Sequence, residues 1–289
     1  MRRTLFRLLL LACLPGAGAW AQDPPAQHLM VPAGPARIEV LAQGRGEAIV
    51  ILPSLGRGAA DYEVVAGRLA AAGFRVLRPQ PRGIGRSTGP MTGLTLHDYA
   101  ADVAAVIRAQ SKVPVVVVGH AYGNFVARML ASDHAELVRG VVLAAASPGK
   151  LLPGMQGPVI APEVREAIDK AGDPALPEAQ RLAYLQRAFF APGNDPRVWL
   201  SGWHAAAQKA ESEASAATPV DAWFAGGTAP ILDLQAEDDA VAPRKFASVL
   251  KQSLGERVTV IVIPHAGHAL APEQPRAMAE AIAAFARRL

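Results

Sequence analysis

The 289-residue chain is 51% hydrophobic and 19% charged, too apolar for a disordered chain and too charged for a polytopic membrane protein. Its length buries a full core without disulfide or metal staples, and the absence of any internal repeat excludes solenoids and propellers. The formal net charge of +4 includes an N-terminal segment with a character of its own.

That segment reads Met1-Arg2-Arg3-Thr4-Leu5-Phe6-Arg7, then Leu8 to Leu11, then Ala19-Trp20-Ala21 before Gln22. A basic start, a short apolar run and an A-x-A site predict a signal peptide over residues 1–21, cleaved after Ala21. The run is too short to span a bilayer, so no transmembrane segment is expected after cleavage. Cleavage lowers Lys+Arg from 29 to 26 against 25 acids, a net charge of +1. With no basic stripe interleaved with aromatics, nucleic acid is excluded as a partner. The single cysteine, Cys13, lies inside the segment, so the mature chain has neither disulfide nor thiol nucleophile. A lipobox reading of Leu10-Leu11-Ala12-Cys13 is the less favoured alternative, because the apolar run begins only after Arg7. Either reading places the protein in the periplasm or outside the cell.

Residues 22–35 are Pro-rich and polar and read as a linker. Ala36–Ala42 reads as an edge strand, and the apolar run Ala48–Leu52 as a strand covered on both faces. Asp61–Ala72 is amphipathic, with Asp61 as N-cap. Phe74–Leu77 is a third strand, and Thr95–Ala109 a helix opened by a Thr95/Asp98 capping box. Val113–Val118 is a β-branched strand, Phe125–Ala131 the helix after it, and Val141–Leu143 the next strand. Alternation of strands and helices implies a parallel sheet with helices on both faces. Residues 151–228 then hold helical stretches at Pro162–Ala171, Pro177–Phe190 and Pro196–Glu213, and no convincing strand. Strands resume at Ile231–Leu234 and Val258–Ile263, and Met278–Leu289 closes as a helix. The expected organisation is an α/β core over 36–150 and 229–289, with 151–228 as a helical cap or lid over the carboxyl edge of the sheet, where open α/β sheets bind ligands.

The chemistry centres on Gly119-His120-Ala121-Tyr122-Gly123, a small-residue turn between a strand and a helix. The Gly-x-?-x-Gly frame is that of a nucleophile elbow. Here, over residues 36–289, the chain resembles the α/β-hydrolase superfamily. Three further segments carry the resemblance: Arg82-Gly83-Ile84-Gly85-Arg86-Ser87, Ala236-Glu237-Asp238-Asp239 with Pro243, and Pro264-His265-Ala266-Gly267-His268 followed by Glu273-Gln274-Pro275. The resemblance implies ester, amide or related hydrolysis, with Asp239 as triad acid and His268 as triad histidine. It also implies an oxyanion hole from the backbone N–H groups of Leu55 and Tyr122. His-Gly is usual where this chain has Pro53-Ser54, which leaves the position of the Leu55 donor open. Gln80 stands where an Asp often pairs with the nearby Arg, here Arg82, so that local ion pair is absent.

The nucleophile position is Ala121, and a methyl group cannot attack a carbonyl. Loss of the serine costs such an enzyme roughly a millionfold in rate. Three readings are open: a natural protein that does not use a covalent serine, an engineered Ser-to-Ala variant, or a displaced nucleophile. The first is preferred. Ser54 is the first candidate for the third, although a plain loop hydrogen bond is its commoner role. Candidate pocket residues are Ser54, His120, Trp199 and Trp203, with Phe189-Phe190 beside them; His120 is usually a scaffold residue, and the aromatics serve equally well as core. His265 and His268 lack a third ligand at metal spacing, so neither metal nor cofactor is expected.

The preferred function is an exported α/β-hydrolase-fold protein acting on a small, partly apolar organic molecule. The Asp239-oriented imidazole of His268 then works as a general base, as in relatives on this fold such as cofactor-independent dioxygenases and lyases. The alternative is a catalytically silent pseudoenzyme that holds a ligand in the covered pocket. The sequence leaves the oligomeric state open.

Overall fold

The computed structural model describes residues 26–289, so the signal segment and the Cys13 alternative lie outside the described residues. The elements run β1 (Gln27–Ala33), β2 (Ala36–Gly44), β3 (Ala48–Leu52), α1 (Glu63–Ala71), β4 (Arg75–Pro79), α2 (Leu96–Gln110), β5 (Val115–His120), α3 (Gly123–Asp133) and β6 (Val138–Ala144). Then come α4 (Pro162–Ala171), α5 (Glu178–Ala188), α6 (Ala205–Ala217) and α7 (Val220–Trp223). The chain closes with β7 (Ile231–Ala236), α8 (Val249–Leu254), β8 (Val258–Ile263), α9 (Leu270–Glu273) and α10 (Pro275–Ala286).

The eight strands form one sheet in the order β1-β2-β4-β3-β5-β6-β7-β8. β3 to β8 run parallel, and β1 and β2 pair antiparallel at one side. The all-valine stretch Val115–Val118 is fully buried at the centre, as a strand covered on both faces requires. One face of the sheet packs on α2 and α3 through residues such as Val103, Ile107 and Leu130. The other packs on α1 and α10 through Leu69, Ile282 and Phe285.

Four local expectations need correction. Residues 27–33 are not linker but the strand β1, joined to β2 by the two-residue turn Gly34-Pro35 with Gly34 at φ 56. Pro32 is tolerated because β1 is an edge strand that pairs on one side only. β2 is consequently not the edge. Asp61 does not cap α1; its carboxylate instead takes the Arg57 guanidinium at 2.7 and 2.8 Å. Pro196–Glu213 is not one helix, since a short 3-10 turn at Pro196–Trp199 is separated from α6 by Gly202 at φ 80. The Thr95/Asp98 capping box forms, with Asp98 Oδ2 accepting from Thr95 N–H at 2.8 Å.

The helical insertion between β6 and β7 has a small core of its own, built on Val164, Leu185, Phe189, Phe190 and Trp199. Val241 and Ala269, from the loops after β7 and β8, belong to the same cluster. The insertion is therefore packed directly onto those two loops.

Candidate active site

The parallel register brings four strand ends to one edge. Leu52 pairs beside Gly119, His120 beside Ala144, and Ala236 beside Ile263. The segments leaving β3, β5, β7 and β8 carry Ser54-Leu55, Ala121-Tyr122, Asp239 and His268.

Ala121 sits at the tip of the turn from β5 into α3 with φ 49, a left-handed conformation that costs an L-residue roughly 1–2 kcal/mol. Its N–H donates to Ala144 O at 3.0 Å, and its carbonyl accepts from Asn124 N–H at 3.0 Å. The flanking glycines answer a steric demand. A Cβ on Gly119 would lie 2.3 Å from Gly123 O, and one on Gly123 would lie 2.6 Å from Leu52 O. The Asn124 side-chain amide also donates to Ala121 O, and Asn124 is held in turn by the fully buried Arg128, whose Nη2 also reaches Ser147 O at 3.0 Å. Burial pulls the Arg128 guanidinium down to about 9.

His268 Nδ1–H donates to Asp239 Oδ2 at 2.9 Å and Oδ1 at 3.0 Å, and both residues are buried. A carboxylate can only accept here, so Nδ1 carries a proton and the pair of contacts fixes the orientation of the ring. Asp239 Oδ1 is fixed by the N–H groups of Val241 and Ala242, each at 2.8 Å. Asp238 is exposed and its N–H goes to Ala266 O, which leaves Asp239 as the partner.

A polar thread ties the loops together. The N–H of Ser54 donates to Tyr62 Oη at 3.0 Å. Tyr62 O–H donates to His120 Nδ1 at 2.7 Å, and His120 Nε2–H donates to the carbonyl of His268 at 2.7 Å. Burial, helped by the nearby His268, pushes His120 down to about 3, which keeps the ring neutral and the relay intact. Glu273 does similar service on the other side, accepting from Ala191 N–H at 2.7 Å, Asn194 Nδ2 at 2.6 Å and Gly267 N–H at 2.7 Å.

The elbow and His268 face a cavity of about 620 Å³. Ser54, Leu55, Ala121, Tyr122, His268, Phe189 and Trp203 line it, together with Gln208, Ser212 and Ser215 on one face of α6. Arg165 also stands on its wall, and it makes no ion pair among the described residues. The backbone N–H groups of Leu55 and Tyr122 make no hydrogen bond among the described residues. They are thus available to an oxygen bound in the cavity.

Two pocket candidates move. His120 lies behind the elbow with no exposed surface, as part of the thread just described. Trp199 is buried in the insertion core, and the Arg57 guanidinium lies 4.6 Å from its ring and 4.7 Å from that of Trp203, the two rings being perpendicular. Ser54 lines the cavity, yet its hydroxyl forms no hydrogen bond with the His268 ring, which leaves it without a base to activate it. Arg82, without an acid at Gln80, pairs instead with Asp102 at 2.7 and 2.9 Å, a partner twenty residues away that local reading does not supply. Asn124, Arg128 and Glu211 also went unnoticed from sequence. Among the described residues no cluster of three His, Cys, Asp or Glu side chains could hold a metal, and no helix is long and apolar enough to cross a membrane.

Residues 49–281 match the model of the "Alpha/beta hydrolase family". The chain belongs to this family. A sequence relative, the "Putative carbamate hydrolase RutD" of Variovorax paradoxus (strain S110), is 32% identical over 243 residues, covering 81% of this chain and 90% of that protein. An esterase from Exiguobacterium antarcticum superposes with a TM-score of 0.73 at 20% identity, over 90% of this chain and 100% of the esterase. A bromoperoxidase from Bacillus anthracis gives 0.72 at 20% identity, over 90% and 100%. Both structures share the fold of this α/β hydrolase.

Proposed function

We propose that this α/β hydrolase cleaves a small, largely apolar ester, amide or carbamate by general-base attack of water, without a covalent serine intermediate. One observation carries the reading. The His268–Asp239 pair and two unpaired backbone donors converge on a cavity at whose elbow only the Ala121 methyl stands. The sequence relationship to a protein named as a carbamate hydrolase supports the substrate class.

In this mechanism the carbonyl oxygen of the substrate accepts from Leu55 N–H and Tyr122 N–H. His268 Nε2 takes a proton from water as it attacks the carbonyl carbon, and Asp239 stabilises the resulting imidazolium. The imidazolium then returns the proton to the leaving oxygen or nitrogen. The insertion acts as the lid of the cavity, with Phe189 and Trp203 against the apolar part of the substrate. The protein works outside the cytoplasm after cleavage following Ala21, and N-terminal sequencing of the exported form should begin at Gln22.

The decisive experiment follows nitrophenyl esters and carbamates with wild-type protein and His268→Ala under single-turnover conditions. Turnover that depends on His268, with no burst and no trappable acyl-enzyme, supports water attack. A burst with covalent labelling of the unmodified chain refutes it. Saturable binding with no turnover of any ester or carbamate favours a ligand-binding protein.

A further inference from the structure

The loop Ser54-Leu55-Gly56, which supplies one oxyanion donor, is fastened chiefly to the insertion. Gly56 O accepts from His204 N–H at 3.0 Å, and Arg57 Nη1 donates to Ser201 O at 2.7 Å. Gly56 N–H donates to Glu211 Oε2 at 2.6 Å. Glu211 lies within α6 and is 1% exposed, between the buried alanines Ala207, Ala210 and Ala214. Among the described residues it makes no ion pair, and the Gly56 N–H is its hydrogen-bond partner. A carboxylate so placed bears the burial cost of its charge with one donor to offset it.

A second, independent observation lies beside it. A small cavity of about 40 Å³ is lined by Glu211, Tyr99 and Tyr122. The hydroxyls of both tyrosines are buried with no hydrogen-bond partner among the described residues. A buried water needs roughly 10–15 Å³ and two to four polar partners, and this cavity offers both. Tyr122, whose N–H is one of the two donors, lines this cavity, and the other donor, Leu55, directly precedes the Gly56 that Glu211 holds.

We propose that Glu211 is a positioning residue for the oxyanion hole, held as an uncharged acid that accepts from Gly56 N–H and donates to a water shared with the Tyr99 and Tyr122 hydroxyls. The proposal rests on reading the Leu55 and Tyr122 N–H groups as that hole. Burial pushes Glu211 up to about 8, so it carries its proton at neutral pH and loses it in mildly alkaline solution. The ionised form places a negative charge behind the site where a second negative charge develops, which slows the reaction. The other ionisable groups beside it are three tyrosines and two ion pairs. Burial raises Tyr62, Tyr99 and Tyr122 above the ordinary phenol range. Asp102 is held in its bidentate pair with Arg82, and Arg57 in its pair with Asp61.

The test compares kcat against pH for nitrophenyl acetate in wild type, Glu211→Gln and Glu211→Leu. Wild type should lose about tenfold in kcat per pH unit above about pH 8, as one ionisation requires. Glu211→Gln keeps an acceptor for Gly56 N–H; it should fall less than about tenfold at neutral pH and lose the alkaline limb, whereas Glu211→Leu should fall about a hundredfold in kcat with little change in KM. An alkaline limb retained in Glu211→Gln overturns the proposal, as does undiminished kcat in folded Glu211→Leu. If Glu211→Leu does not fold, the Gln profile decides. Infrared difference spectra separate this proposal from the hydrolase reading. A protonated-carboxyl band at neutral pH that disappears on alkaline titration and is missing in Glu211→Gln supports it even if no ester is turned over; absence of the band overturns it.

Discussion

Replacing Ala121 by Ser asks whether the surrounding machinery is in working register. The perturbation adds one oxygen to a Cβ that already faces the cavity, on a backbone already at φ 49. The His268 ring is oriented by two contacts to Asp239, at 2.9 and 3.0 Å, and both oxyanion donors are unpaired. A serine nucleophile in an intact triad is worth roughly a millionfold, about 8 kcal/mol of barrier at 1.36 kcal/mol per decade. If the Pro53-Ser54 substitution displaces the Leu55 donor, about 10²–10³ of that is forfeited. Ala121→Ser should then raise ester turnover by at least about 10³-fold and make the protein react with fluorophosphonate probes, with acylation appearing as a burst. Rates of labelling and of nitrophenyl acetate hydrolysis, measured with and without His268→Ala in the same background, provide the assay. A folded Ala121→Ser variant that neither labels nor hydrolyses would refute the placement of His268 and the oxyanion donors. Labelling of the unmodified chain that is lost in Ser54→Ala would refute the role given to the elbow.

Asp239→Asn should lower His268-dependent turnover by roughly 10³–10⁴-fold while leaving stability nearly unchanged, because Asn still accepts from Val241 and Ala242 but presents the wrong partner to Nδ1; near-normal kcat in this variant would remove Asp239 from the mechanism. Gly123→Ala forces a Cβ to 2.6 Å from Leu52 O and 2.7 Å from Pro53 O, and should cost about 3 kcal/mol, read as a drop in Tm by calorimetry. Arg165→Gln should abolish any preference for substrates bearing a free carboxylate over their methyl esters while sparing the methyl esters; equal kcat/KM for the two classes in wild type would show that the wall charge does not select. Glu211 is raised from 4.5 to about 8 on folding, so the native state keeps a proton that the unfolded chain releases. Stability from this group is therefore complete below about pH 4.5 and declines as pH rises through about 8, and Glu211→Gln should flatten that slope in urea titrations.

The elbow was legible because its constraint is steric. Two close backbone approaches leave no room for Cβ at residues 119 and 123, and glycine is visible in a sequence. Asp239 was legible over Asp238 through its spacing to Pro243, and the structure supplies the cause in the tight turn of N–H groups onto Oδ1. β1 was missed because Pro32 and the Gly34-Pro35 turn carry the composition of a linker, and only pairing with β2 distinguishes the two. Trp199 and Trp203 have helical spacing but do not share a helix, since Gly202 breaks it. Glu211 was hidden between Lys209 and Glu213, which pair on the exposed face of α6. Its signal was phase, because it falls in the stripe of Ala207, Ala210 and Ala214, where an acid has no surface to face.

The site is assembled from strand ends far apart in the chain, and this has a kinetic consequence. Ser54, Ala121, Asp239 and His268 meet only after β3, β5, β6, β7 and β8 have docked side by side. The β1–β2 hairpin and the capped helix α2 are local structures that form without closing a long loop. The closure that brings Asp239 and His268 to Ala121 spans the whole insertion, and its entropy is lost before the dyad contacts return anything. In refolding from denaturant, helical signal should recover well ahead of the chemistry. Intermediates lacking the β7–β8 pair would look largely native by circular dichroism while holding no base at the elbow.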